Sequence, residues 1–314
     1  MGHGGRPVIL PSFVIAGAPR CGTTSLHYYL RQHPQICMST IKEPNVFLFG
    51  PDGRPHIAEA PIIRKSVKKL ADYAALFRPT AMTSAIGEAS PLYLYTHPTP
   101  AQMLAVCGVI QVLCVLRRPA DRAWSHFLYA FPDVPADDRA RVFAGYVDAE
   151  LAGGPVYEPY RTPTHLVRLG RYGEQVRRYQ ETFGAEHVQV LLTEDLAADR
   201  AGALGAICRH VGVDDGFTFD LSQRYNPSSS ATMNPVLRRV VRRVAPTLKA
   251  VLPPRVAGRL GDLRMGRADA TNEPAPPIDP EVARRIADWC AEDVDELAGL
   301  IGRDLSAWHS APAG

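Results

Sequence analysis

Gly17-Ala18-Pro19-Arg20-Cys21-Gly22-Thr23-Thr24-Ser25 is the stretch whose reading decides the fold of this chain. It joins a short apolar run, Phe13-Val14-Ile15-Ala16, to a helical pattern predicted over 23–33, which Pro34 stops. An apolar strand that turns through Gly and Pro into a helix is the opening of a parallel sheet. The first backbone N–H groups of such a helix have no partner within it, so they and the loop amides can point at an anion. Glycines at both ends of the loop permit close approach and dihedrals closed to other residues.

The frame Gly17-x-x-x-x-Gly22 is that of a nucleotide triphosphatase, but Thr23 stands where its Lys belongs and the cation has moved back to Arg20. That chemistry also needs an Asp at the tip of a neighbouring strand to hold Mg²⁺. The next apolar strand, predicted over 110–116, runs instead into Arg117-Arg118, a pair that repels a metal and attracts a phosphate. Two anion cradles and no metal suit a donor carrying a phosphosulfate and a separate phosphate.

Working outward, Pro119 sits where a first-turn proline would, ahead of a helix predicted over 122–131. A helix over 166–183 leads to a third strand over 187–192, and another helix follows over 196–211. Alternating strands and helices predict an α/β, doubly wound, mostly parallel sheet flanked by helices, a P-loop-like three-layer fold. The stretches 49–73 and 131–163, rich in Pro, Gly and charge, read as surface excursions. A helical C-terminal portion, about 230–314, contains helices over 234–251 and 279–301. The expectation is one domain over 1–314.

With 314 residues, 46% hydrophobic residues and a net charge of +3, the chain has the makeup of an ordinary globular protein and too little basic bias for nucleic acid. Cys21, Cys37, Cys107, Cys114, Cys208 and Cys290 include no Cys-x-x-Cys pair and no zinc spacing, and read as reduced thiols in a cytoplasmic protein. No segment approaches the length of a membrane span, and no signal-peptide pattern is present. The Ala-, Arg- and Pro-rich composition suggests a bacterial source.

The loop Ala18-Pro19-Arg20-Cys21-Gly22-Thr23-Thr24-Ser25-Leu26 resembles the 5′-phosphosulfate motif of the sulfotransferases that use 3′-phosphoadenylyl sulfate (PAPS), and looks closest to the branch containing heparan-sulfate sulfotransferase domains and bacterial relatives. Leu116-Arg117-Arg118-Pro119-Ala120-Asp121-Arg122-Ala123-Trp124-Ser125-His126 is similar to the family's 3′-phosphate motif. The resemblance implies that Arg20, Cys21, Gly22, Thr23, Thr24 and Ser25 bind the phosphosulfate, and that Arg117 and Ser125 clamp the 3′-phosphate. Arg118 stands where the family usually has Asn, and Trp124 where Tyr is usual. It further implies PAPS as donor, adenosine 3′,5′-bisphosphate as product, and no metal.

Transfer to a hydroxyl requires a base, and Glu43 in Lys42-Glu43-Pro44, after a hairpin-like exit from the first helix, resembles the family's Lys-Glu-Pro element. Lys42 is a helper that positions sulfate. Asn45, where relatives usually carry His, is a candidate acceptor contact. Glu88 in Ile86-Gly87-Glu88-Ala89-Ser90-Pro91 is a second base or acceptor-binding candidate, and His126, His97 and His165 are alternative bases. Thr23, Thr24 and Ser25 also read as helix caps, and Arg122 as an ion-pair partner. The basic amphipathic segment 236–244 suits a core-facing stripe or the docking of an acidic carrier protein. Two rivals remain open: a metal-dependent P-loop kinase or NTPase, and a non-catalytic sulfonucleotide or carrier-binding module. The acceptor reads only as a hydroxyl on a secondary metabolite, carbohydrate or lipid.

Overall fold

A computed structural model describes residues 8–56, 66–153, 165–222 and 276–310. These lie almost wholly in one compact unit, Met1–Leu221 with Pro277–Gly314. The segment 236–244 and the helix expected over 234–251 lie outside the described residues.

Among the described residues five strands form the central sheet: β1 (Phe13–Gly17), β2 (Ile36–Met38), β3 (Ala85–Ala89), β4 (Gln111–Leu116) and β5 (Val188–Leu192). Their order is β2-β3-β1-β4-β5 and every pairing is parallel. The exit from the first helix is therefore a crossover into a parallel strand, not a hairpin. β1 and β4 lie side by side at the centre with Phe13, Val14, Ile15 and Val112 to Leu116 completely buried, which is why both read as continuous apolar runs. Strands β2 and β3 escaped the sequence reading because β2 is three residues long and β3 carries Gly87 and Glu88 in its middle. Gly87 is required there, since the Phe13 ring would lie 2.1 Å from any Cβ added to it.

Among the described residues the helices are α1 (Thr23–Leu30), α2 (Leu70–Ala74), α3 (Thr99–Cys107), α4 (Pro119–Ala130), α5 (Arg139–Leu151), α6 (Tyr172–Phe183), α7 (Thr193–Ala198), α8 (Arg200–Val211) and α9 (Pro280–Ile301). α1 packs on β1, β2 and β3, and α8 on β4 and β5, while α9 packs on α4 and α6. The expected helix over 166–183 begins only at Tyr172. The Glu150 carboxylate accepts the amides of Leu166, Val167 and Arg168, at 2.8, 2.9 and 2.7 Å, and holds that segment out of the helix. Asp293 of α9 then caps α6 through the amides of Gly173 and Glu174. The pattern over 196–211 is split at Asp199, whose carboxylate accepts the Gly202 amide and starts α8 afresh. Part of the expected excursion 131–163 is α5, an ordered helix whose Phe143 and Val147 are buried.

Neighbouring β1 and β4 send their connections to opposite halves of the sheet, so the switch point of the topology lies between their carboxyl ends. Ligand crevices of open α/β sheets form at that point.

Candidate active site

Both sequence motifs open at this switch point. The Ala18 amide donates to the Val115 carbonyl of β4 at 2.8 Å, so the loop leaves the sheet close to Arg117. Gly17 is forced by crowding: an added Cβ would stand 2.5 Å from Leu94 Cβ. Arg20 takes a left-handed conformation (φ 71°), and Gly22 another (φ 88°) as N-cap of α1. No side chain caps α1. The N-cap position of α1 thus falls to Gly22 and not to Thr23, Thr24 or Ser25, and a helix start of this kind suits an anion. Thr23 is buried, Thr24 and Ser25 are half-buried.

Arg20 meets the second motif directly. Its Nε donates to Ser125 Oγ at 3.4 Å, and its guanidinium lies 4.5 Å from the centre of the Tyr129 ring. Burial lowers its pKa, as do the nearby cations Arg117 and Arg122. Arginine nevertheless stays charged in proteins, so the crevice holds several cations in close company. Tyr129 was missed in the sequence, although it lies one helical turn beyond Ser125 on the same face of α4.

Cys21 is fully buried, and its Sγ lies 3.8 Å from the Tyr172 hydroxyl. That hydroxyl donates to the Arg117 carbonyl at 3.0 Å, joining the two motifs a second time. Burial pushes the Cys21 thiol up to about 11, so it is not a thiolate nucleophile at neutral pH.

Arg122 is completely buried. It donates to the Leu166 carbonyl, and its Nη1 lies 3.4 Å from His126 Nδ1. It forms no ion pair with a carboxylate among the described residues. Burial, then Arg122 and Arg20, hold the His126 pKa well below its ordinary value. His126 is therefore neutral and a weak base. His97 is exposed, and His165 lies 3.8 Å from the Glu150 carboxylate.

The Lys42–Asn45 turn follows β2. Glu43 and Asn45 are both left-handed, with φ 62° and 58°. The Glu43 amide donates to the Ala89 carbonyl at 2.9 Å, which fastens the turn to the carboxyl end of β3. Lys42 Nζ pairs with Glu43 Oε1; the Lys42 side chain is nearly buried, whereas that of Glu43 is 46% exposed. Burial, then the neighbouring Lys42 and Arg31, lowers the pKa of His27 in α1 to about 3. Asn45 is buried and its amide donates to Ser90 Oγ at 3.1 Å. Glu88 is fully buried at the end of β3. Ser90 and Tyr73, which bond to it, carried no signal of their own in the sequence.

All six cysteines are free. Among the described residues no helix is long and apolar enough to cross a membrane.

Comparison with known proteins gives a consistent picture. A family model described as a sulfotransferase domain matches residues 10–223. The chain is 25% identical over 210 residues to human heparan sulfate glucosamine 3-O-sulfotransferase 3B1, an alignment covering 65% of this chain and 46% of the relative. It is 29% identical over 126 residues to the membrane-associated sulfotransferase kil1 of Dictyostelium discoideum, covering 40% of this chain and 24% of that one. The chain thus spans about a quarter to a half of the length of these relatives. Among solved structures, a sulfotransferase from Alicyclobacillus acidocaldarius matches with a TM-score of 0.66 at 26% identity, over 96% of this chain and 99% of the other.

Proposed function

This chain belongs to the sulfotransferase-domain family, and on that premise we propose that it moves a sulfuryl group from PAPS to an acceptor hydroxyl by direct in-line transfer. The observation that carries this reading is the contact of Arg20 with Ser125 across the switch point, which brings the two anion motifs into one crevice.

The donor supplies an activated sulfuryl group on a phosphate leaving group. The N-terminal turn of α1 and the loop residues Cys21, Gly22, Thr23, Thr24 and Ser25 hold the phosphosulfate. Arg20 neutralises charge on the departing phosphate, each hydrogen bond contributing about 1.5–3 kcal/mol. Arg117 and Ser125 hold the 3′-phosphate. Glu43, the exposed member of its pair with Lys42, removes the acceptor proton, and Lys42 steadies the sulfuryl oxygens. Asn45 borders the acceptor side. No step calls for a metal, and the Arg117-Arg118 strand end disfavours the Mg²⁺-dependent kinase alternative.

The acceptor is a hydroxyl of a carbohydrate, lipid or secondary metabolite, and the unpaired cysteines suit a reducing bacterial cytoplasm. The deciding experiment is transfer of labelled sulfate from PAPS to components of a bacterial extract, with chelator present. Labelled product supports the proposal. Mg²⁺-dependent ATP turnover without affinity for adenosine 3′,5′-bisphosphate overturns it, as does bisphosphate binding without transfer to any acceptor.

A further inference from the structure

Glu88 is a fully buried carboxylate with a defined set of partners. Tyr73 of α2 donates to its Oε1 at 3.2 Å and Ser90 donates to its Oε2 at 2.8 Å, and the nearby Tyr93 hydroxyl favours its charged form. Ser90 Oγ also accepts the Asn45 amide at 3.1 Å, and the Ala89 carbonyl accepts the Glu43 amide at 2.9 Å. Residues 88–90 therefore grip a turn in which Glu43 and Asn45, flanking Pro44, both hold a left-handed backbone that is costly outside glycine. Such a conformation persists only where its surroundings impose it.

We propose that Glu88 is a positioning residue, neither base nor acceptor contact: through Ser90 it fixes the Lys42–Asn45 turn and so aims the Glu43 carboxylate at the reacting hydroxyl. The inference rests on the reading of Glu43 as base. The groups facing Glu88 are Lys42 beside the turn, Tyr73 of α2, Tyr93 beyond β3, Cys107 at the end of α3 and Tyr179 of α6. Burial pushes Glu88 up to about 7, against the pull of Ser90, Tyr93, Tyr73 and Lys42. Protonation brings a fourth hydroxyl hydrogen into a cluster already supplied with three. The hold of Glu88 on the Ser90 hydroxyl weakens with the loss of its charge, and with it the support of the Asn45 amide.

The test compares the wild type with Glu88→Gln and Ser90→Ala by amide hydrogen exchange, bisphosphate titration and sulfate transfer. Protection of the Glu43 and Asn45 amides is expected to drop tenfold or more in both variants, with α1 amides and bisphosphate affinity changed less than twofold. In Glu88→Gln, kcat falls at least tenfold and the acid limb of its pH profile near 7 disappears. Unchanged protection at residues 43 and 45 overturns the inference whatever the activity. So does a loss of bisphosphate affinity that parallels the loss of kcat, which marks general damage. A wild type that transfers no sulfate overturns the functional reading instead, while the exchange measurement still decides whether Glu88 holds the turn.

Discussion

Arg20 Nε lies 3.4 Å from Ser125 Oγ, although 105 positions separate them in sequence. One belongs to the loop after β1 and the other to α4 after β4, and the adjacency of those strands brings them together. Both anion motifs thereby open onto a single crevice, as the proposed donor with its two separated anionic groups requires.

Removing either residue should weaken the donor site in its own way. Ser125→Ala deletes one hydrogen bond to a charged phosphate, about 1.5–3 kcal/mol, or roughly 10–100-fold in bisphosphate Kd. Arg20→Ala should lower transfer by about 10²–10³-fold, because it withdraws charge stabilisation at the leaving phosphate. Titration calorimetry with adenosine 3′,5′-bisphosphate and labelled-sulfate turnover read the two effects.

Glu43→Gln should reduce turnover by about 10²–10⁴-fold while leaving bisphosphate affinity within twofold. Full activity in that variant removes Glu43 from the chemistry.

The buried Cys21 thiol, pushed up to about 11, should resist alkylation. Brief treatment of the native protein with iodoacetamide at pH 7.5 should modify the half-buried Cys37 before Cys21, as peptide mass spectrometry shows. Rapid labelling of Cys21 contradicts its burial.

Glu88 makes folding stability pH-dependent, and the sign follows from its raised pKa. Between about 4.3, the value for an unfolded chain, and about 7, the folded protein binds the extra proton, so unfolding becomes easier as pH rises. The contribution is of order 4 kcal/mol over that window. Urea denaturation at pH 4.5 and pH 7.5 should show a smaller fall for Glu88→Gln than for the wild type. An equal fall assigns the dependence to other groups.

Gly17→Ala puts a methyl 2.5 Å from Leu94, whose amide bonds to the neighbouring Ala16 carbonyl at 2.8 Å. The overpacking should cost about 1–3 kcal/mol, seen as a lower urea midpoint at unchanged slope.

Much of this molecule was legible because its information is local. The run Phe13–Ala16 and the strand over 110–116 are buried on both faces, so burial wrote itself as continuous apolar sequence. The loop between Gly17 and Ser25 was equally plain, since Gly22 and the displaced Arg20 specify a helix start with a cation beside it. What resisted was short or dictated from afar. β2 has three residues, too few for any period, and takes its strand conformation from pairing with β3. The late start of α6 depends on the Glu150 carboxylate and on Asp293 of α9, more than a hundred residues downstream.

Sequence alone determined a parallel α/β sheet with an anion loop after its first strand and a basic end to the strand over 110–116, because strand burial, helix starts and charge are properties of neighbouring residues. Tertiary structure alone decided that these two ends adjoin, that Arg20 reaches Ser125 and stacks on Tyr129, and that Glu88 is buried behind hydroxyls in contact with the Glu43 turn. Strand order, desolvation and the hydrogen bonds that impose a left-handed turn depend on contacts between distant segments, and those contacts exist only once the chain has closed around its core.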